Sequence, residues 1–566
     1  MIQLHRLTVT YPTPGGPFPV LRGIDLSLHE GEFTVLLGAN GSGKTTLLRC
    51  LNGLILPTEG DVVVDGLSVL DPDSLDKIRR CVGMVFQNPD DQIVSVVVER
   101  EMAFGLENLG IPTAEMHTRV NEALDRFHLT PYRYHDPNHL SGGERQRLAL
   151  AAVIAMRPRY LLLDEPTALL DPTTRKAFLT YLQALHTSGT TTPLLITQIP
   201  KEAVGADRVL VLDAGQIVLD GSPADVFSQT DRLLALGLSP PLPVQIAVAL
   251  DLPPPVPLTS EELVSRLPDP PPPSLYDAPI RSTLHPSSAI ISAHDLTYRY
   301  NPGLLTETCA LNGLTLDISE GTVTVLIGPG GSGKSTFVRH LNGLLTPTSG
   351  RLSVCNLNPA DTACHRDLRR QVGQIFQFPE AQLFADTVLE DVAFGPKNLG
   401  LPDIPNRVNE ALQNVGLDPE TFLNRSPLTL SGGEKRRVAI AGVLAMQPRV
   451  LVMDEPTAGL DPRGVQKTIS WIERLKAEGC TLTLITHDLD LAARIGDRIV
   501  ALQDGRVAFD SPPTETFTHP LTGLDLDLPE TVHLANLLRD RSWTIPAHIL
   551  ASESLTEILI AYLKSV

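Results

Sequence analysis

Short apolar runs interrupted by glycine-rich turns set the pattern of the chain's first half. Phe33, Val35, Leu36 and Leu37 form one run, G-A-N-G-S-G-K-T-T follows from Gly38 to Thr46, and Leu47, Leu48 and Leu51 then recur at helical spacing. The pattern predicts a strand, a tight turn and a helix start. Before it, Ile2 to Tyr11 and Val20 to Leu28 read as β-segments; after it come a helix, a short strand pair and V-G-M-V-F-Q. A helix-rich stretch covers Glu99 to Arg126, and a long amphipathic helix runs from L-S-G-G-E at Leu140 to Met156. Tyr160 to Glu165 is apolar without alternation until it ends in Asp-Glu, as expected of a parallel strand covered on both faces.

The whole pattern is written twice. At an offset of about 290 residues Gly31 falls on Gly321, Lys44 on Lys334, Gln87 on Gln377, Asp164 on Asp454 and Asp171 on Asp461. That period is far too long for a solenoid, so a domain has been duplicated. Alternating strands and helices predict an α/β fold with ligand at the carboxyl ends of the strands. Each half closes with a small tail: Pro241, Ile246, Ala247 and Leu250 match Pro529, Leu534, Ala535 and Leu538. The expected organisation is a first domain over 1–225, its tail over 226–267, a linker over 268–288, a second domain over 289–514 and its tail over 515–566. The linker contains P-D-P-P-P-P, and its composition gives a semi-rigid spacer or a passive connection, reaching roughly 60 Å at about 3.1 Å per residue.

Composition narrows the classes. The 566 residues suffice for several domains, 42% of them are apolar, and the formal net charge is −19. That balance offers no basic face to a polyanion, so no nucleic-acid partner is expected. The six cysteines form no C-x-x-C pair and no zinc spacing, consistent with reduced thiols in a cytosolic chain. No apolar stretch reaches 18 residues, and Pro240 to Leu258 carries Asp251 and many prolines. Any membrane crossing is expected to be the work of another subunit.

The glycine-rich turns are phosphate-binding loops by their chemistry. Glycines let consecutive N–H groups face an anion, the helix start lies behind them, a lysine adds a point charge and the next hydroxyl can reach Mg²⁺. The candidate phosphate contacts are Gly38, Asn40, Gly41, Ser42, Gly43, Lys44, Thr45 and Thr46 in one half, and Gly328, Gly330, Gly331, Ser332, Gly333, Lys334, Ser335 and Thr336 in the other. Such a loop alone does not separate GTPases, kinases and helicases. L-S-G-G-E, at Leu140 and again at Leu430, does, since it lies shortly before each Asp-Glu strand end. With these motifs in register twice, the chain resembles the ATP-binding cassette family, and the resemblance covers both halves almost end to end.

The resemblance implies two tandem P-loop NTPase domains of the cassette type, with ATP and Mg²⁺ as cofactors. It also implies an intramolecular pseudo-dimer with sandwiched ATP: Lys44, Gln87, Asp164 and Glu165 completed by Ser431, Gly432 and Gly433, and Lys334, Gln377, Asp454 and Glu455 completed by Ser141, Gly142 and Gly143. Thr45 with Asp164 and Ser335 with Asp454 are the expected metal ligands. Glu165 and Glu455 are the expected bases for water, Gln87 and Gln377 the sensors, and Tyr11 and Tyr300 resemble the adenine-stacking aromatic, with an ordinary strand tyrosine as the alternative. V-F-Q-N-P-D-D-Q and I-F-Q-F-P-E-A-Q-L-F, together with the repeated tail, look like ATPases of energy-coupling factor transporters. That family implies a peripheral subunit on the cytoplasmic face of the membrane, driving vitamin or metal-ion import with a transmembrane T component and a substrate-binding S component. Docking would lie near Gln92 to Phe104 and Gln382 to Phe394. The alternatives are a fused sugar-importer ATPase and a soluble, non-transport cassette ATPase.

The halves differ at one chemical position. Half two reads L-I-T-H-D with His487 in the place of the family's switch histidine; half one reads L-I-T-Q-I, with Gln198. An amide cannot become cationic, which removes a charge-assisted hydrogen bond of about 1.5 to 3 kcal/mol, or roughly 10 to 150-fold in rate if it acts in the transition state. Site one is therefore expected to hold ATP and turn it over slowly, unless Gln198 is a neutral replacement. Half one also has Leu169 where half two has Gly459.

Overall fold

The computed structural model describes the chain except residues 14–15, 141, 169, 171, 271–287, 305–306, 378, 519–520, 525 and 565–566. Ser141, Leu169, Asp171 and nearly all of the proline-rich linker therefore lie outside the described residues. Two compact units emerge, one spanning Met1–Leu267 and the other beginning at Pro268.

In the first unit a six-stranded sheet runs in the order Gln216–Gly221, Arg208–Asp213, Thr34–Leu37, Thr192–Ile196, Tyr160–Asp164, Val82–Val85. All neighbours pair in parallel except the edge pair Gln216–Gly221 with Arg208–Asp213. Alternation along each strand divides the apolar side chains between two faces. Val35, Leu37, Leu161 and Leu163 pack toward the helical layer, whereas Leu36, Leu162, Ile196 and Leu210 pack toward a smaller sheet. The uninterrupted apolar runs follow from burial on both sides. The smaller sheet is antiparallel, ordered Gly16–Leu28, Ile2–Thr13, Glu59–Val64, Leu67–Ser68.

The second unit repeats the plan: Val372–Ile375, Val450–Asp454, Thr481–Ile485, Val323–Ile327, Arg498–Gln503, Arg506–Ser511, with a three-stranded companion sheet. The strand order explains the site. The strand carrying the P-loop lies beside the one leading to the switch residue, and that one lies beside the strand ending in Asp-Glu. Three functional turns therefore meet at one end of the sheet. The tails form short helices, Leu242–Ala249 and Ser260–Arg266 in the first unit, Glu530–Asp540 and Ser552–Lys564 in the second.

Candidate functional site

Each P-loop is built around a lysine turned back on its own loop. Lys44 Nζ donates to Gly38 O at 2.8 Å and Ala39 O at 3.0 Å, and Lys334 Nζ to Gly328 O at 2.8 Å and Pro329 O at 2.9 Å. Gly43 and Gly333, which precede the helices Lys44–Leu51 and Lys334–Leu341, hold left-handed φ of 106° and 100° that an L side chain rarely adopts. A Cβ on Gly38 would stand 2.5 Å from Leu212 O, so no side chain fits where the backbone must approach a phosphate. Burial pushes the Lys44 ammonium below its usual range, opposed by Glu165 and Asp164. A buried cation with two carboxylates nearby is a seat for an anion bearing a metal.

Thr45 Oγ1 donates to Asp164 Oδ1 at 3.2 Å, joining the two expected metal ligands of half one. Burial raises the Asp164 carboxyl to about 6, and it raises Asp454 as well, where a hydrogen bond from Ser335 opposes the shift. Hydroxyl and carboxylate oxygens suit Mg²⁺, and a divalent cation would offset the cost of a buried carboxylate, so the residues fit the ion.

The two glutamates stand in different company. Both carry left-handed backbones, φ 46° at Glu165 and 50° at Glu455, a strain typical of functional turns. Glu165 is held by amides: Gln87 Nε2 donates to Oε2 at 3.0 Å and Gln198 Nε2 to Oε1 at 2.6 Å, while the same Gln198 nitrogen donates to Asn40 Oδ1 at 2.8 Å. Glu455 instead receives the Thr486 hydroxyl at 3.4 Å and faces His487 Nε2 at 3.5 Å. Burial, with Asp454 beside it, pushes the Glu455 carboxyl up to about 8. The Lys334 ammonium and a backbone hydrogen bond from His487 oppose that rise.

The remaining candidates fall as follows. Ser431 N-caps the helix Gly432–Leu444 in a capping box: its hydroxyl accepts from Glu434 N at 3.3 Å, and Glu434 Oε2 accepts from Ser431 N at 2.8 Å. The signature serine is thus both a cap and an exposed hydroxyl at a helix start. Tyr300 OH lies 3.3 Å from Thr336 Oγ1, directly behind the second P-loop. Tyr11, 37% exposed, pairs with Phe18 across the hairpin. Gln377 stands at the strand end matching Gln87, beyond Val372–Ile375.

Several structural residues escaped the motif reading. Arg436 reaches from the signature helix to the carbonyls of Glu455, Pro456 and Ala458 at 3.2, 2.9 and 2.7 Å, fixing the turn that carries the glutamate. In half one Glu202 is buried, accepts the Thr197 hydroxyl at 2.5 Å and faces Arg175 Nε at 3.8 Å. Comparison of the repeats carries the signal for that pair, because Val465 and Leu491 stand at the matching positions.

Paired P-loops, buried carboxylates at the strand ends and repeated L-S-G-G-E strings define a P-loop nucleotide hydrolase with two sites' worth of machinery. The family model described as ABC transporter matches residues 21–168 and 311–458. The chain belongs to the ATP-binding cassette transporter family, whose members bind ATP with Mg²⁺ and hydrolyse it. It is 36% identical over 575 residues to a provisionally named ABC transporter ATP-binding protein of Methanosarcina mazei, covering 96% of this chain and 95% of that one. A Bifidobacterium longum relative with the same kind of name is 38% identical over 520 residues; 88% of this chain matches, and it spans 65% of that relative's length. A Bacillus subtilis relative, provisionally named an HMP/thiamine import ATP-binding protein, is 33% identical over 515 residues, with 89% of this chain and 90% of that one covered. No described helix is long and apolar enough to cross a membrane.

Proposed function

We propose that this chain is the ATPase that energises import of a small solute, a vitamin or a metal ion, through separate membrane-spanning subunits of the energy-coupling factor type. The observation that carries the reading is an exposed apolar patch beside the glutamine loop of each half. Val94, Val96 and Phe104 are 64, 65 and 48% exposed in one, and Phe384 and Phe394 are 64 and 48% exposed in the other. Phe384 and Phe394 meet edge to face at 4.8 Å. Each patch is held by a carboxylate: Glu101 accepts from Val94 N and Ser95 N at 2.9 and 2.7 Å, and Asp391 from Ala385 N at 3.0 Å. Apolar surface presented on a braced loop suits an amphipathic helix of a membrane partner. The import assignment of the Bacillus subtilis relative supports the same direction of transport. Co-expression with candidate T and S subunits tests it: Phe394→Asp should abolish co-purification and partner-stimulated ATPase while intrinsic ATPase persists. Unchanged complex formation would sink the reading.

Within each half, Lys44 and Lys334 neutralise the terminal phosphates, and Thr45 with Asp164 and Ser335 with Asp454 hold Mg²⁺. Glu165 and Glu455 orient water, and the signature turns at Ser141 and Ser431 supply further anion contacts. Half two is the competent hydrolase, because His487 faces Glu455, whereas Gln198 ties Glu165 to Asn40. Glu455→Gln should then remove nearly all turnover and Glu165→Gln leave a large fraction. Equal losses would show that the halves work alike.

A further inference from the structure

The two halves route one hydroxyl differently. In half two Thr486 Oγ1 donates to the base Glu455 at 3.4 Å; in half one the matching Thr197 Oγ1 donates at 2.5 Å to Glu202, a carboxylate that is only 5% exposed. Glu202 faces Arg175 Nε at 3.8 Å, and Arg175 Nη2 donates in turn to the carbonyls of Thr167 at 3.5 Å and Leu170 at 3.3 Å. These last two residues belong to the turn that follows Glu165. The chain Thr167/Leu170, Arg175, Glu202, Thr197 ends one residue before Gln198. In half two the corresponding side chains are Val465 and Leu491, and the segment after the switch residue forms the helix Leu489–Ile495 capped by Asp488. In half one it is the shorter 3₁₀ turn Pro200–Ala203, with Ile199 in place of that cap.

The geometry points to Arg175 and Glu202 as a positioning pair of half one: together they clasp the switch segment to the turn after Glu165, so that Gln198 stays on Glu165 and the nucleotide bound at Lys44 is retained through the cycle. Neither residue touches the reacting atoms. A buried carboxylate held by the Thr197 and Thr167 hydroxyls with a guanidinium beside it is costly to move, because parting from them strands its buried charge. A pair of aliphatic side chains, as in half two, imposes no such penalty and leaves the switch residue free to reorganise. The clasp rests on the reading that half one is the slow site, and it explains more than the loss of a histidine does. Substituting His for Gln198 alone would place an imidazole on a segment that is still held.

The test uses the full chain with Glu455→Gln silencing half two, and reads both ATPase and release of a fluorescent ATP analogue from half one. Arg175→Val with Glu202→Leu transplants the half-two residues; replacing a buried carboxylate and its guanidinium partner by aliphatics is commonly neutral for folding, and a thermal melt checks it. Release should accelerate about fivefold or more in this double variant, since the segment loses a buried charged anchor. Glu202→Gln, which keeps an acceptor for Thr197, should lie between it and the parent. Gln198→His alone should change half-one turnover by less than about twofold, whereas the triple variant should raise it about tenfold, the lower end expected of a charge-assisted bond. Release unchanged by the double variant, with or without a lowered melting temperature, overturns the clasp. So does a gain from Gln198→His alone equal to that of the triple variant. Equal turnover losses from Glu165→Gln and Glu455→Gln in the otherwise unaltered chain would instead refute the slow-site reading and leave the release experiment to judge the clasp separately.

Discussion

Gly38→Ala asks how tightly the first P-loop is specified. An added Cβ would stand 2.5 Å from Leu212 O and 2.7 Å from Ser42 Oγ, and real Cβ contacts essentially never fall below 3.0 Å. Leu212 lies in the strand Arg208–Asp213, which is paired in parallel to the P-loop strand, so the carbonyl cannot swing away. The loop itself must retreat, and with it the Gly38 carbonyl that holds Lys44 Nζ at 2.8 Å. Overpacking of this kind costs about 1 to 3 kcal/mol, which places the loss of ATP affinity at half one at roughly 5 to 150-fold. Gly41→Ala is the calibrating variant. Its φ is +80° but nothing lies within 4 Å of the added carbon, so only the left-handed backbone penalty of about 1 to 2 kcal/mol applies. Gly205→Ala, whose Cβ would meet Gln183 at 3.5 Å, controls for general disturbance. Isothermal titration with ATP and Mg²⁺ should show two sites in the parent and in Gly205→Ala, and one clearly weakened site in Gly38→Ala. Two unchanged sites in Gly38→Ala would refute the geometric argument.

Lys334→Ala should abolish most turnover, because two carbonyls of the loop hold this buried ammonium in place; ATPase within twofold of the parent would refute its role. Arg436→Ala should lower the melting temperature of the second unit, since it leaves the Pro456 and Ala458 carbonyls without their donor, at about 1 to 3 kcal/mol for each buried group, while Glu455 O keeps the Ala458 N–H. Gln146→Ala at the matching place should cost far less in calorimetry, as neither of its amide atoms has a hydrogen-bond partner among the described residues. Asp391→Ala should loosen the loop at Ala385 and weaken capture of a membrane partner, whereas reversing the charge of the exposed Glu390 probes only the surface; equal effects in a pull-down would show that Asp391 does not brace the loop.

Motif strings made the placement of the candidate residues legible because each one is a local device: the P-loop, the Asp-Glu pair and the switch residue each sit within a few residues of a strand end. The parallel order of the sheet was legible for a similar reason, since unbroken apolar runs such as Tyr160 to Leu163 can be covered only from both faces. What stayed hidden was cooperation between distant polar residues. Arg175 and Glu202 look like two ordinary charges on a helix and a turn; only folding buries the carboxylate beside Thr197. Asp391 reads as a surface acid of a docking helix, yet it is half-buried and serves backbone N–H groups of its own loop, which oppose the rise that burial imposes on its carboxyl. L-S-G-G-E marks a serine at a helix start, but only the fold shows that Ser431 closes a capping box with Glu434 while its hydroxyl stays exposed.

The amide at position 198 and the carboxylate at position 202 belong to one arrangement. A hydroxyl has a single proton to give. Once Thr197 gives it to Glu202, Glu165 lacks the donor that Thr486 provides to Glu455, and its two oxygens must be served from elsewhere. Gln87 serves one. Gln198 serves the other, and because an amide nitrogen carries two protons it also reaches Asn40 on the P-loop. A neutral imidazole offers one N–H at that edge and could satisfy Glu165 or Asn40, not both. Gln198→His in the presence of Glu202 should therefore leave one polar group of the half-one site without its donor, whereas in half two the Thr486 hydroxyl reaches Glu455 Oε2 and the imidazole of His487 has only Glu455 Oε1 to face. Measured as a double-mutant cycle on half-one turnover, positions 198 and 202 should be strongly non-additive. Additive effects would mean that the two substitutions arose independently and that the hydroxyl's choice of partner is incidental to the chemistry.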